Sequence, residues 1–226
     1  HAGDRLDYDI PKHQIDFLKK LRNRNTKPII AVIAGGSPMN LSEVHELADA
    51  VLMMLYPGEE GGNAVADVIF GNASPSGRLP ITFPKSLDQL PPYDDYSMKG
   101  RTYRYMEAEP MYPFGFGLTF GAIDYTGLAV DIPKVKKGQP MSITVSVSVS
   151  NKGDKPVEEV AQLYITDTKA SVTVPKYSLK DFQRVKLDAG ESRTITFALD
   201  KPALSLINAQ GEKVFEPGEF TVWVGG

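Results

Sequence analysis

The chain has 226 residues, 42% hydrophobic and 23% charged, with a formal net charge of −3. Each half is long enough to bury its own core, and the mild negative charge argues against nucleic acid as a partner, since phosphate binding needs a basic surface. The lack of cysteine excludes disulfides, thiolate metal sites and a cysteine nucleophile, and with no run of about 18 apolar residues, no membrane span is expected. The basic clusters Lys19-Lys20-Leu21-Arg22 and Lys134-Val135-Lys136-Lys137 are short and read as solvated faces. The sequence starts at His1 without an initiator Met, and we expect it to be a piece of a longer protein.

The first half alternates helix-like and strand-like runs. Pro11 suits the first turn of a helix carrying Ile15, Leu18 and Leu21 on one face, with Asn23 and Asn25 as its stop. Pro28 to Ala34 is continuously apolar, as a strand buried on both sides of a parallel sheet reads. A second helix is expected over Leu41 to Ala48 and a second buried strand over Ala50 to Leu55. A third helix is expected from Gly61 to Phe70, with Gly71 where a left-handed cap belongs. Leu79 to Phe83 reads as a further strand. This order implies right-handed crossovers and an open, mostly parallel sheet. Residues 84–120 are rich in Pro, Gly and Tyr and read as a long loop that packs on something, because flexible linkers rarely carry so many aromatics.

The second half reads as strands and turns. Met141, Ile143, Val145, Val147 and Val149 alternate with serines and threonine, as a half-buried antiparallel strand does. Alternation returns in Ala161, Leu163 and Ile165, in Ile195, Phe197 and Leu199, and in Phe220, Val222 and Val224. Turns at Asn151-Lys152-Gly153-Asp154, Asp188-Ala189-Gly190, Ala209-Gln210-Gly211 and Glu216-Pro217-Gly218 separate them. The pattern predicts an all-β sandwich of about 100 residues.

Three long motifs then carry a resemblance. The runs Tyr56 to Gly71, Pro75-Ser76-Gly77-Arg78-Leu79-Pro80-Ile81-Thr82-Phe83-Pro84, and Tyr112-Pro113-Phe114-Gly115-Phe116-Gly117-Leu118-Thr119-Phe120 resemble the family 3 glycoside hydrolases in content, order and spacing. The sandwich resembles the fibronectin type III-like domain of the longer members, through Asn151-Lys152-Gly153, Glu159-Val160-Ala161-Gln162-Leu163-Tyr164 and Glu216-Pro217-Gly218-Glu219-Phe220. The resemblance implies an α/β domain over residues 1–125 and a fibronectin-like sandwich over 126–226. It further implies part of a retaining, exo-acting β-glycosidase, most simply a β-glucosidase. Such an enzyme needs no cofactor or metal, acts on β-linked oligosaccharides or glycosides, and sits in the periplasm or outside the cell.

In that family the nucleophilic Asp lies in an N-terminal (β/α)8 barrel. The acid/base Glu lies a few residues before a feature matched here by Gly3-Asp4-Arg5 and Asp9-Ile10-Pro11. The resemblance therefore places the acid/base Glu just before His1 and leaves no catalytic carboxylate in this chain. A retaining mechanism needs two carboxyl groups roughly 5–5.5 Å apart across the scissile bond, so the chain alone is expected to be inactive.

Asp4 and Arg5, at the open end of the sheet, and Arg101, Tyr103 and Arg104, in the aromatic loop with Tyr93, Tyr96 and Tyr105, are the candidate substrate-binding residues. Each has a structural alternative: an ion pair shaping the first loop, or packing of the second on the barrel. Glu59 and Glu60 read as residues opening a helix, and the glycines around them as a tight turn, since no phosphate-loop spacing is present. His13 and His45 lack metal-ligand spacing and read as surface helix residues. Trp223 faces away from Phe220, Val222 and Val224, toward a neighbouring domain or a sugar. Two rival readings stand beside the enzyme: a non-catalytic carbohydrate-binding module and a purely structural one.

Overall fold

The computed structural model describes residues 7–134 and 140–226. Asp4, Arg5 and most of the second basic cluster lie outside the described residues. The chain divides into two compact units, His1–Asn72 with Leu79–Phe114, and Ala73–Arg78 with Gly115–Gly226.

In the first unit, α1 (Lys12–Arg24) begins after Pro11, whose fixed φ of −53° suits a helix start, and buries Ile15. The helix runs through Asn23 and ends at the extended Asn25. Asn23 therefore does not terminate it: the backbone break comes two residues later, where Asn25 bonds both the carbonyl and the N–H of Lys27. Strands β1 (Ile30–Ala34) and β2 (Ala50–Leu55) pair in parallel, Ile30 opposite Ala50, and form a two-stranded sheet. Helix α2 (Ser42–Leu47) connects them. Ile15, Leu41, Val44 and Phe83 form the buried core here, with Ile10, Leu18, Val51 and Ile81 packed against it.

Charged groups hold the strand ends. Arg22 of the first basic cluster donates to Asp49 (2.5 Å), and Asp49 also accepts the Ile29 N–H (2.7 Å). The Arg22 bond, then the Ile29 bond, hold the Asp49 carboxyl below its usual range. Lys19 pairs with Glu43.

Helix α3 (Gly61–Phe70) ends at Gly71, whose φ of 77° is the left-handed cap. The strand expected at Leu79–Phe83 is absent. Only Phe83 pairs, in a single bridge with Tyr112, because Pro80 and Pro84 have no N–H to give a ladder. The loop that follows contains a 3-10 turn at Leu87–Gln89 and a short helix α4 (Thr102–Tyr105).

The second unit is all strand. β3 (Ile123–Asp131), β4 (Ser142–Asn151) and β7 (Ser192–Asp200) form one antiparallel sheet in the order β3-β4-β7. β5 (Val157–Asp167), β6 (Ser178–Leu187) and β10 (Phe220–Gly225) form another, in the order β10-β5-β6. Short strands β8 (Leu206–Ile207) and β9 (Lys213–Val214) pair with each other. One core joins both three-stranded sheets: Val145, Val147 and Val149 meet Ala161, Leu163, Ile165, Val185, Leu187, Ile195, Phe197 and Leu199. These are the alternating positions of the sequence, and the period of two puts each set on one face.

Asn151 closes the turn after β4. It is fully buried, and its amide donates to the carbonyls of Lys155 (2.7 Å) and Asp188 (3.2 Å) while its oxygen accepts the Gly153 N–H (3.0 Å). β3 begins at Ile123, so the all-β texture starts slightly before residue 126.

Leu163 is fully buried and Phe182 is 61% exposed. Leu163→Ala is expected to lower the unfolding free energy of the sandwich by about 2–5 kcal/mol. Phe182→Ala should change it by no more than about 0.5 kcal/mol. Denaturant titration followed by Trp223 fluorescence separates the two.

Candidate functional site

Ligands of open α/β sheets bind beyond the carboxyl ends of the strands. At that end of β2, Leu55 has φ 51°, an uncommon state for a non-glycine residue. Its carbonyl accepts the Gly35 N–H (3.1 Å), which ties the ends of β1 and β2 together. Tyr56, the next residue, is 82% exposed and lies so close to Gly36 that a Cβ there would come within 2.3 Å of the ring. Glu60 stands at the N-cap position of α3 without a side-chain cap bond, and its carboxylate accepts the Asn63 side-chain amide at 2.5 Å.

Upstream, Asp9 bridges Asn40 in parallel. His45 is on α2 and bonds the Tyr112 hydroxyl at 2.9 Å. Burial raises the Tyr112 hydroxyl above its ordinary range.

The aromatic loop is folded by its own arginine. Arg101 donates to the carbonyls of Pro92 (2.9 Å) and Asp95 (2.7 Å). The Ser97 N–H bonds the Asp95 carboxylate (2.8 Å) and is the main cause of that carboxyl's lowered pKa. Tyr93 and Tyr96 are displayed outward, 94% and 89% exposed. Tyr103 stacks on Phe114 with centroids 4.1 Å apart, and the Arg104 guanidinium lies 5.7 Å from the Tyr103 ring centroid. Thr102, just before Tyr103, has φ 56°, a strained state for a β-branched side chain. Arg101, Tyr103 and Arg104 are thus each already in contact with protein groups.

A second cluster went unassigned in the sequence. Glu159 lies on the inward register of β5 and is 1% exposed. It pairs with Arg78, itself 11% exposed. The Tyr125 hydroxyl donates to the same carboxylate oxygen (2.9 Å), and Arg78 also donates to the Gly117 carbonyl. The Arg78 Nε is buried without a hydrogen-bond partner. Burial, then the Glu159 charge and hydrogen bond, push the Tyr125 hydroxyl far above its ordinary range.

Next to it, Gln162 donates to the Gly115 carbonyl (3.0 Å) and accepts from the Tyr164 hydroxyl (2.8 Å). Gly115 has φ 82°, and a Cβ there would fall 2.4 Å from that hydroxyl. The signal was present: Glu159 shares its row with Val157, Ala161, Leu163 and Ile165, and a carboxylate in an apolar row demands a partner.

Residues 1–120 match the glycosyl hydrolase family 3 C-terminal domain. The chain belongs to glycoside hydrolase family 3. Residues 159–226 match the fibronectin type III-like domain, which the family 3 resemblance places after the α/β region. The chain is 36% identical to the periplasmic beta-glucosidase of Salmonella typhimurium, over 99% of this chain and 30% of that protein. It is 39% identical to the xylan 1,4-beta-xylosidase of Xylanibacter ruminicola, over 99% of this chain and 25% of that one. The solved beta-glucosidase of Listeria innocua in complex with isofagomine is similar with a TM-score of 0.84 and 34% identity, over 99% of this chain and 33% of its own. This family 3 chain therefore spans a quarter to a third of the length of these relatives. No helix among the described residues is long and apolar enough to cross a membrane.

Two outcomes follow from the buried cluster. Gly115→Ala forces a side chain into a left-handed backbone and should cost at least about 1–2 kcal/mol, read by thermal unfolding of the full chain. The raised pKa of Tyr125 means that the unfolded state loses its proton first, near pH 10. Its stabilising contribution is therefore complete below about pH 10 and is lost as the pH climbs toward the folded pKa. Urea titrations from about pH 9 to about pH 11.5 should find the wild type losing stability more steeply than Tyr125→Phe.

Proposed function

We propose that this chain is the C-terminal part of a retaining, exo-acting β-glycosidase that hydrolyses terminal non-reducing β-D-glucosyl residues. Both catalytic carboxylates would come from outside the chain, the acid/base Glu from residues just upstream and the nucleophile from a (β/α)8 barrel. Family membership, with coverage of only a quarter to a third of beta-glucosidases and xylosidases, is the observation that carries this reading.

The chain needs no cofactor in this role. Residues 1–125 would supply the acid/base loop and part of the pocket wall, as one piece of an open, mostly parallel sheet. Among the described residues it has two strands, and Ile30 and Val32 remain 43% and 39% exposed. That supports completion of the sheet by other parts of the longer protein, since parallel strands are normally covered on both faces. Asp4, Arg5, Arg101, Tyr103 and Arg104 are the proposed sugar contacts, with residues 126–226 as a brace. A periplasmic or extracellular location is supported by the relative named periplasmic.

A second reading, a carbohydrate-binding module, is favoured by Tyr93 and Tyr96, whose rings stand almost fully exposed and are amphipathic in the way binding surfaces use.

Release of nitrophenol from nitrophenyl β-glucoside tests the first reading. The chain alone should stay at background, and mixing with a separately made barrel half should restore turnover. Turnover by the chain alone would overturn the proposal and direct attention to Glu59, Glu60 and Asp4. Affinity for soluble glucans in the chain alone, lost in Tyr93→Ala with Tyr96→Ala, would favour the binding module.

A further inference from the structure

The chain leaves the α/β unit after Asn72, returns at Leu79, and leaves again after Phe114. The six-residue strap between the first two crossings, Ala73–Arg78, lies with the sandwich and is held along most of its length. The Ser74 hydroxyl bonds the Thr119 hydroxyl (2.8 Å) and accepts the Phe120 N–H (3.0 Å). The Ser76 hydroxyl accepts from Arg184 (2.7 Å), which also pairs with Glu158 (2.9 Å). A Cβ on Gly117 would meet the Gly77 carbonyl oxygen at 2.2 Å, so the two backbones pass at the closest approach that glycine allows. Arg78 then enters the sandwich and ends on Glu159, inside the layer of core side chains.

We infer that the sandwich works as a latch on this strap, and that the Arg78–Glu159 ion pair is its bolt. A carboxylate at Glu159 without a counter-charge would be a buried, unpaired ion, so the sandwich favours the state in which the strap is seated. The strap is not needed to complete either sheet: all hydrogen-bonded strand partners of β3 to β7 and β10 lie elsewhere. It can therefore leave without dissolving the sandwich, which is what separates a latch from a core element. This assigns the fibronectin-like unit a task that calls for no ligand: it holds residues 73–78 seated against it.

Limited trypsin digestion of the full chain tests this, because Glu159→Gln and Arg78→Lys both keep a tryptic bond before Leu79. The Lys99–Gly100 bond, in the exposed aromatic loop, is the internal reference. Lys186–Leu187, inside β6, reports opening of the sandwich itself. In the wild type the Arg78–Leu79 bond should be cut far more slowly than Lys99–Gly100. In Glu159→Gln its relative rate should rise about tenfold or more, with Lys186–Leu187 unchanged. Arg78→Lys keeps the charge but not the two-pronged donation, and should rise by less; it serves also if Glu159→Gln does not fold. Equal acceleration at Lys186–Leu187 would make the pair an ordinary prop of the sandwich and overturn the latch. No acceleration at residue 78 in either variant would overturn it too.

Discussion

Glu159 sets the terms for its half of the molecule. β5 turns Val157, Ala161, Leu163 and Ile165 into the core, and Glu159 occupies the same row with 1% of its surface exposed. An ionised carboxylate there costs several kcal/mol unless a counter-charge and hydrogen bonds replace its water. Neither sheet offers a cation at that depth, and the charge arrives from a different part of the chain, on Arg78. Tyr125 supplies a further donor. Such a pair adds little net stability compared with apolar residues of similar volume. What it contributes is selectivity, because arrangements of the strap that withdraw Arg78 leave the Glu159 carboxylate in the core without a counter-charge.

The α/β unit has the opposite character. Its buried set is small, centred on Ile15, Leu41, Val44 and Phe83, and it leaves Phe17, Tyr56 and Phe70 67%, 82% and 79% exposed. A two-stranded parallel sheet has few hydrogen bonds and two unprotected edges, and elements this small rarely stand alone. Apolar exposure on this scale belongs to surfaces that meet other protein. The chain also covers only a quarter to a third of the relatives it matches.

Elements built on local periodicity were legible in the sequence. The alternation of Met141 to Val149 became β4, and Gly71 took the φ of 77° that its place after α3 required. Elements governed by distant partners were not. β3 hides because Gly127, at φ 65°, and the register shift between Thr126 and Ala129 interrupt its alternation. Leu79–Phe83 has the apolar content of a strand, but Pro80 within it and Pro84 after it withhold donors that a ladder needs. The Arg78–Glu159 contact joins residues 81 positions apart, a separation at which no periodicity speaks. Half of it was nevertheless readable, as a charge out of place in an apolar row.

Much of what carries the family resemblance is spent on packing. Arg78, Gly115, Gly117, Glu159, Gln162 and Tyr164 all belong to the resembling motifs, and all are spent on packing the strap and the 115–120 segment against the sandwich. Asn151 and Glu216 are spent on turns, the latter accepting two bonds from Ser171. The aromatic loop lies outside those motifs and divides by function. Arg101 is the brace that shapes it, Tyr103 is held by Phe114, and Tyr93 and Tyr96 are what the braced loop presents. A rigid scaffold that displays side chains on a pinned loop is how binding residues are usually carried. The motif residues named above therefore account for packing within the sandwich unit, and the outward rings of the aromatic loop lie outside them.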